Sequence, residues 1–450
     1  MSSTATEIEN PINKLSDEQL EQLGEEFQAI HDEIYDDLGE RDATYIRSII
    51  QFHRRLAAIG RIELMASRYK PAWLLGTLTL GAAKIIENME IGHNVMHGQW
   101  DWMNDPYIHS STWDWDTASP ASAWKHSHNY VHHTFTNVIG KDHDVGYEVM
   151  RVDPSQKWHP IYLNQPILNV FLMAFFEWGV AVHDLDFDAI KSGKKPKAQV
   201  RDELKEIGRK ARRQIVKDYI AFPALSGRKG FKATLAANFT ANIIRNVWSN
   251  AIIFCGHFPD QAYTFTAEEG EDERPGAWYV RQLIGAANID GGPFFHFMSG
   301  NLSYQVEHHL YPDLPSSRYQ EIAPRVKDIC ERYGLPYNTG PFLKQWGMVQ
   351  RTLLRLAFPG GKVRKKAPPY TPPAEPAETN GNGSGNGKVH DRERVLAAFP
   401  KEPRARIVRD PRAFRHNPRA TVALFVANLA PWTEVGRITP IYRHFPPRYL

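Results

Sequence analysis

Cysteine is nearly absent: Cys255 and Cys330 are the only thiols in 450 residues. That excludes a CxxC redox pair, a CxxCH haem attachment and a four-cysteine cluster. Any metal site must be built from His, Asp, Glu, Asn or Gln. Disulfides contribute little with so few thiols, which fits a reducing compartment. Cofactor signatures are missing too, with neither a GxGxxG loop nor an HPGG haem motif. Long hydrophobic runs are scarce. The stretch 160–176 has 17 residues without a charge, short of the about 20 that a membrane span needs. The mean hydropathy of −0.47, taken alone, describes a water-soluble chain. Residues 1–10 carry no basic region followed by an apolar core, so no cleavable secretory leader is expected.

Net charge is only +3, but it is segregated. Residues 1–42 hold 13 acidic and 2 basic side chains, and residues 359–450 hold 17 basic and 7 acidic ones. Both ends are expected to be peripheral. A basic tail beside a membrane can touch anionic lipid, although a solvated tail is the plainer expectation.

Residues 16–37 read as a surface helix. Ser16 to Gln19 has the form of a capping box, and Leu20, Leu23, Phe27, Ile30 and Ile34 recur at helical spacing. A second amphipathic stretch runs over 45–69. Pro71 opens the first membrane candidate, 72–83. It reaches full length only by continuing through Lys84, Glu87 and Glu90, whose i, i+3, i+6 spacing lets them share an inward face. Residues 160–182 and 231–258 are the other candidates. The segment 191–232 is strongly basic, which argues for the cytoplasmic side. The crossings balance only if one span is a re-entrant hairpin or if 215–225 adds a pass. The chain therefore divides into an acidic N-terminal helix (1–44), a main domain (45–358), a linker (359–390) and a basic extension (391–450). The linker's Pro-rich and Gly/Asn/Ser-rich parts fill 367–390. The extension has one short apolar stretch, 421–432, too small for a core, and is expected to be poorly ordered.

Histidine is what the chain has in place of cysteine. Eight of its 19 histidines fall between His93 and His143. His93-Asn-Val-Met-His97 puts two imidazoles on one helical face, where they can chelate one metal. A lone HxxxH is more often a core pair than a metal site. His128-Asn-Tyr-Val-His132-His133 repeats the spacing. It adds a third ring turned by about 100° around an α-helix, which can reach a second metal. His126 lies two residues upstream, as a further partner. Gln305-Val-Glu-His308-His309 is again a tandem pair, with a donor three residues before it. These groups offer too many imidazoles for one zinc, which takes four ligands. Imidazole suits iron as well as zinc and copper. The arithmetic points to two metals.

The boxes HNVMH, HNYVHH and QVEHH sit in the runs GHNVMHGQWDWMNDP, HHTFTNVIGKDHDVGY and GNLSYQVEHHLYPDLP. Together they resemble the membrane fatty acid desaturases, most of all the actinobacterial acyl-CoA desaturases, from about Tyr45 to Phe358. The resemblance implies an all-α, integral-membrane helical bundle with a cytosolic helical cap that holds a histidine-rich di-iron site. It implies His93, His97, His128, His132, His133, His308 and His309 as ligands. A further family histidine precedes box three, and His257, at the end of an apolar run, is the match. Gln305 stands where many members have histidine, and its direct ligation is left open. The resemblance further implies two non-haem irons, O2 as co-substrate and a long-chain fatty acyl substrate, acyl-CoA favoured over acyl-lipid. The product would be a cis alkene, made in the cell membrane with the site facing the cytoplasm. Electrons would come from a separate NAD(P)H-dependent reductase or ferredoxin, for which the basic segment 191–232 is a docking candidate, although a membrane-facing loop is its plainer use. Membrane lipid is an expected partner and nucleic acid is not. Trp100, Trp102, Trp113, Trp115 and Trp124 are candidates for the membrane interface or an acyl tunnel. The QxxHH box leans toward front-end enzymes and the whole toward Δ9 enzymes.

Three rivals remain at this stage. A di-iron membrane hydroxylase shares the boxes. A soluble ferritin-like desaturase needs two ExxH motifs, and only Glu90-Ile-Gly-His93 fits. A metal-binding or transport protein has no use for tandem His boxes flanked by Trp-rich loops.

Overall fold

The computed structural model describes residues 10–271, 273–362 and 365–373. The basic extension and most of the linker, 374–390, lie outside the described residues. Among those described the fold is mostly helical, as expected. Its only strands are β1 (Asn288–Asp290) and β2 (Thr339–Pro341), paired in parallel with Ile289 opposite Gly340.

Helix α1 (Asp17–Asp36) starts at the predicted capping box, with Ser16 Oγ accepting from Gln19 N and Gln19 Oε1 accepting from Ser16 N. Its apolar stripe, Leu20 to Ile34, is buried with residues of three later elements in one cluster. Helices α2 (Glu40–Leu64) and α3 (Lys70–Ile85) form an antiparallel hairpin. It is close enough that a Cβ on Gly60 would lie 2.9 Å from Leu80 N. The chain then enters a π-helical segment, Ile86–His93. Helices α4 (Gln165–Ala174) and α5 (Phe176–His183) meet at Phe175 in a 103° bend. Helix α6 (Lys197–Ile215) continues through Val216–Ala221 and Phe222–Leu225 to a turn at Gly227, whose φ is +74°. Helix α7 (Gly227–His257) returns over 31 residues, about 46 Å of helix.

Residues 215–225 are helical and pack against α7. Asn238 donates to the Asp218 carbonyl. Four residues before Asp218, Gln214 bonds Glu177, which pairs with Arg245. The 197–225 run therefore descends as α7 rises. At the far end Ser67 Oγ donates to Gly230 O, and Thr234 Oγ1 donates to Leu64 O. The opposite end collects His93 and His257.

The interior of this bundle is unusually polar. Arg61 and Lys84 both meet Asp218, at 2.6 and 2.9 Å, Lys217 pairs with Asp116, and Lys210 with Asp114. Lys84, Glu87 and Glu90 are all buried, as their shared face required. The outward positions carry exposed Leu74, Leu75, Leu78, Ile167, Val170, Phe171, Ile220 and Phe239. Charges inside and hydrophobics outside explain why an average over sequence reads as soluble. Among the described residues, no single helix is both long and apolar enough to cross a membrane, and the bent pair α4–α5 passes that test only jointly.

Helices α8 (Pro275–Gly285), α9 (Gln305–Leu310), α10 (Tyr319–Arg332) and α11 (Phe342–Leu356) complete the structure. Arg318, fully buried, bonds both carboxylate oxygens of Asp42 at 2.7 Å and so ties the start of α2 to this part. Helix α1 is seated on the same part. Tyr311 Oη donates to Phe27 O, and His31 reaches Asp313.

His31 donates to Asp313 at 3.0 Å and to Asp32 at 3.0 Å, with Tyr35 and Tyr311 against its ring. Burial alone would lower its pKa, but the two carboxylates raise it to about 9. A raised pKa stabilises the fold fully below the unfolded value, about 6.5, and that contribution is lost as pH rises through about 9. The melting-temperature gap between wild type and His31→Gln should therefore shrink between pH 6.5 and 9.5. A gap constant across that window would contradict the assignment.

Candidate metal centre

All eight predicted histidines converge at one end of the bundle. His93 and His97 leave the end of the α3 run with ring centroids 4.5 Å apart. Box two occupies a π-helical segment, Lys125–His132, not the α-helix assumed from its spacing. Hydrogen bonds spanning five residues in a π turn bring i and i+5 toward one face. His133 is thereby turned toward His128, with centroids 5.1 Å apart. His257 ends α7, and His308 and His309 lie on α9.

The imidazole donors form two groups, and a third cluster joins His128 and His132 to Asp144. His93, His97, His128 and His308 bring one nitrogen each within 4.8 Å of one another, and His132, His257 and His309 do the same. His133 lies between the groups. It stacks on His309 at 4.5 Å and stands 4.8 and 4.9 Å from His97 and His308. Gln305 joins the three-histidine group, its carboxamide nitrogen 3.0 Å from His257 Nε2. A Cβ on Gly256 would come within 2.8 Å of the Gln305 side chain, so the glycine makes room for it.

The two sides of these rings are treated differently. Nδ1 of His93 faces Asn94, that of His128 faces Asp144, and that of His132 faces Asp142 at 2.9 Å. Nδ1 of His308 faces Tyr319 Oη, and that of His309 faces Gln282 Oε1. On the inner side, Nε2 of His97, His128, His132 and His308 and both nitrogens of His133 are buried without a hydrogen-bond partner. So many orphaned imidazole nitrogens in one place would be costly, and a bound metal removes that cost. His133, His308 and His309 are held well below the usual histidine pKa, by burial first and by neighbouring imidazoles next. Neutral imidazole is the form that binds metal.

Sequence reading missed the outer partners Asp142, Asp144, Asn94, Tyr319 and Gln282. The Asp-His-Asp triplet following box two was the available signal. His126 does not join the centre. It stacks on Tyr130 and lines a separate polar cleft with Lys195 and Glu203. His296 bonds Ser303 and stacks on Tyr304. Trp115 and Trp124 line a cavity that touches His93 and His128, walled also by Met89, Phe176, Val180 and Ile253. Trp100 is instead buried against Tyr45.

The fold and the site define a helical protein with a buried polyhistidine centre able to hold metal beside an apolar cavity. Residues 71–341 match the fatty acid desaturase family. The chain is 51% identical over 356 residues to the NADPH-dependent stearoyl-CoA 9-desaturase of Mycobacterium tuberculosis strain H37Rv, covering 78% of this chain and 83% of that protein. It is 25% identical over 287 residues to the sn-1 linoleoyl-lipid 6-desaturase of a Synechocystis species, covering 61% and 77%. It is 30% identical over 124 residues to human fatty acid desaturase 3, covering 28% and 26%. The chain belongs to the fatty acid desaturase family, a family of oxidoreductases. None of these matches favours the hydroxylase alternative.

Proposed function

We propose that this protein is an integral-membrane acyl-CoA desaturase that converts stearoyl-CoA to its cis-Δ9 product at a di-iron centre facing the cytoplasm. The observation that carries the reading is the set of orphaned inner imidazole nitrogens, gathered from the three boxes beside an apolar cavity. His93, His97, His128 and His308 would hold one iron. His132, His257 and His309 would hold the other, with Gln305 at the position of a further donor and His133 facing both. Such a centre would supply, with O2, the oxidising power needed to remove hydrogen from unactivated methylenes.

The protein's own groups do the rest. Asp142, Asp144, Asn94, Tyr319 and Gln282 orient the imidazoles. Trp115, Trp124, Val180 and Phe176 hold methylenes against the centre and keep water away. The outward apolar belt faces lipid, while the ion pairs stay inside the bundle. The Mycobacterium tuberculosis relative's name supports a CoA thioester, the Δ9 position and NADPH as electron source. Because this chain lacks a nucleotide-binding loop, electrons would arrive through a separate reductase or ferredoxin. Lipid profiling of cells expressing the chain with such a donor tests the reading. Accumulation of Δ9 monounsaturated C18 chains is expected. A hydroxylated product, or an unchanged profile at good expression, would overturn it.

A further inference from the structure

Asp142 and Asp144 divide box two between them. Asp142 takes His132, while Asp144 Oδ2 accepts from His128 Nδ1 at 3.2 Å. The other oxygen of Asp144 does not face solvent; it meets Nε2 of His183 at 3.0 Å. Both side chains are largely shielded, at 15% and 5% exposure. His183 is the last residue of α5, and α5 is a wall of the apolar cavity through Phe176 and Val180. The next residue, Asp184, accepts from Ser127 Oγ at 2.5 Å and from Ser119 Oγ at 2.7 Å. Ser127 immediately precedes His128. One end of a cavity wall therefore reaches His128 through Asp144 and holds Ser127, the residue before it, directly.

We propose that His183 is a positioning residue for His128. Through Asp144 it fixes the tautomer that keeps Nε2 pointed inward, and it ties that orientation to the seating of α5 against a bound acyl chain. The inference rests on the desaturase reading. A residue that merely packed the end of α5 would affect stability and leave the electronic environment of His128 alone. Outer partners of metal-ligating histidines typically contribute about 10–100-fold in affinity or activity.

The test uses purified full-length holoenzyme in detergent, as wild type, His183→Leu, His183→Gln and Asp144→Asn. Iron per chain, Mössbauer spectra with and without stearoyl-CoA, and separate kcat and KM values are measured. Wild-type spectra should change when stearoyl-CoA is added. His183→Leu should keep its iron and its KM, lose about 10–100-fold in kcat, and lose the substrate-induced spectral change. His183→Gln still offers an N–H to Asp144 and should recover most of both. Asp144→Asn keeps the volume, reads the same link from its other end, and should behave like His183→Leu even if that variant fails to fold.

The proposal is overturned if His183→Leu or Asp144→Asn has wild-type kcat and spectra, or if His183→Gln is as impaired as His183→Leu. A wild type with no iron or no unsaturated product would sink the desaturase reading itself. Normal catalysis in His183→Leu beside an active wild type would sink only the link.

Discussion

His257→Ala is expected to yield folded protein that has lost about half its iron and essentially all desaturase activity. His257 ends α7 and is buried, and its ring lies 4.8 Å from both His132 and His309. Its Nε2 sits 3.3 Å from His309 Nε2 and 3.0 Å from the Gln305 carboxamide nitrogen. These donors crowd one another with no other partner on their inner side. Removing one of three imidazoles from that group leaves too few strong donors for an iron. The loss should therefore exceed the about 10–100-fold typical of an outer partner. His296→Ala is the comparison, because His296 bonds Ser303 and lies outside both groups; it should retain both irons. Elemental analysis and a turnover assay on the two variants decide. Full iron and near-normal turnover in His257→Ala would remove it from the ligand set and leave Gln305 as the better candidate.

Gly276→Ala should be among the most destabilising single substitutions in the chain. A Cβ at Gly276 would lie 1.8 Å from the Leu20 carbonyl oxygen and 2.5 Å from its carbon. A helix carbonyl cannot move aside as a flexible side chain can, so α1 must lift from α8. That exposes Leu20, Leu23, Phe27, Ile30 and Ile34, all buried in the folded protein. Each such side chain contributes about 1.5–3 kcal/mol when fully buried, so the loss belongs with the exceptional substitutions above about 4 kcal/mol. Gly292→Ala is the matched control, since its Cβ would meet nothing within 4 Å. Thermal unfolding in detergent and limited proteolysis across residues 10–40 read the effect. An unchanged melting temperature for Gly276→Ala would show that α1 is not held by this crossing.

What the sequence disclosed was local. The capping box of α1 was legible because Ser16 and Gln19 bond within three residues. The ligand candidates were legible because HxxxH places two imidazoles on one helical face and HH turns a further ring toward a neighbouring position. Non-local features were less legible. The helical continuation through 215–225 was hidden because Lys217 and Asp218 break its hydropathy. Both charges are neutralised in the bundle, by Asp116 for the lysine and by Arg61 and Lys84 for the aspartate. The π winding of box two, and of the segment leading into box one, could not be inferred from spacing, because i and i+4 remain neighbours in either form. Asp144 was not read as a partner of His128, since it lies 16 positions further along the chain, beyond the end of the box-two helix. The acidic run 1–42 read as peripheral from its charge. The carboxylates within α1 lie on its solvent-facing side, and the opposite stripe belongs to the cluster around α9 and α10.

The most direct test of the central claim is the metal content of active, full-length protein purified from iron-replete cells. The account predicts about two irons per chain, with desaturase activity rising in proportion to iron and no requirement for zinc. An active preparation carrying stoichiometric zinc and no iron would contradict it.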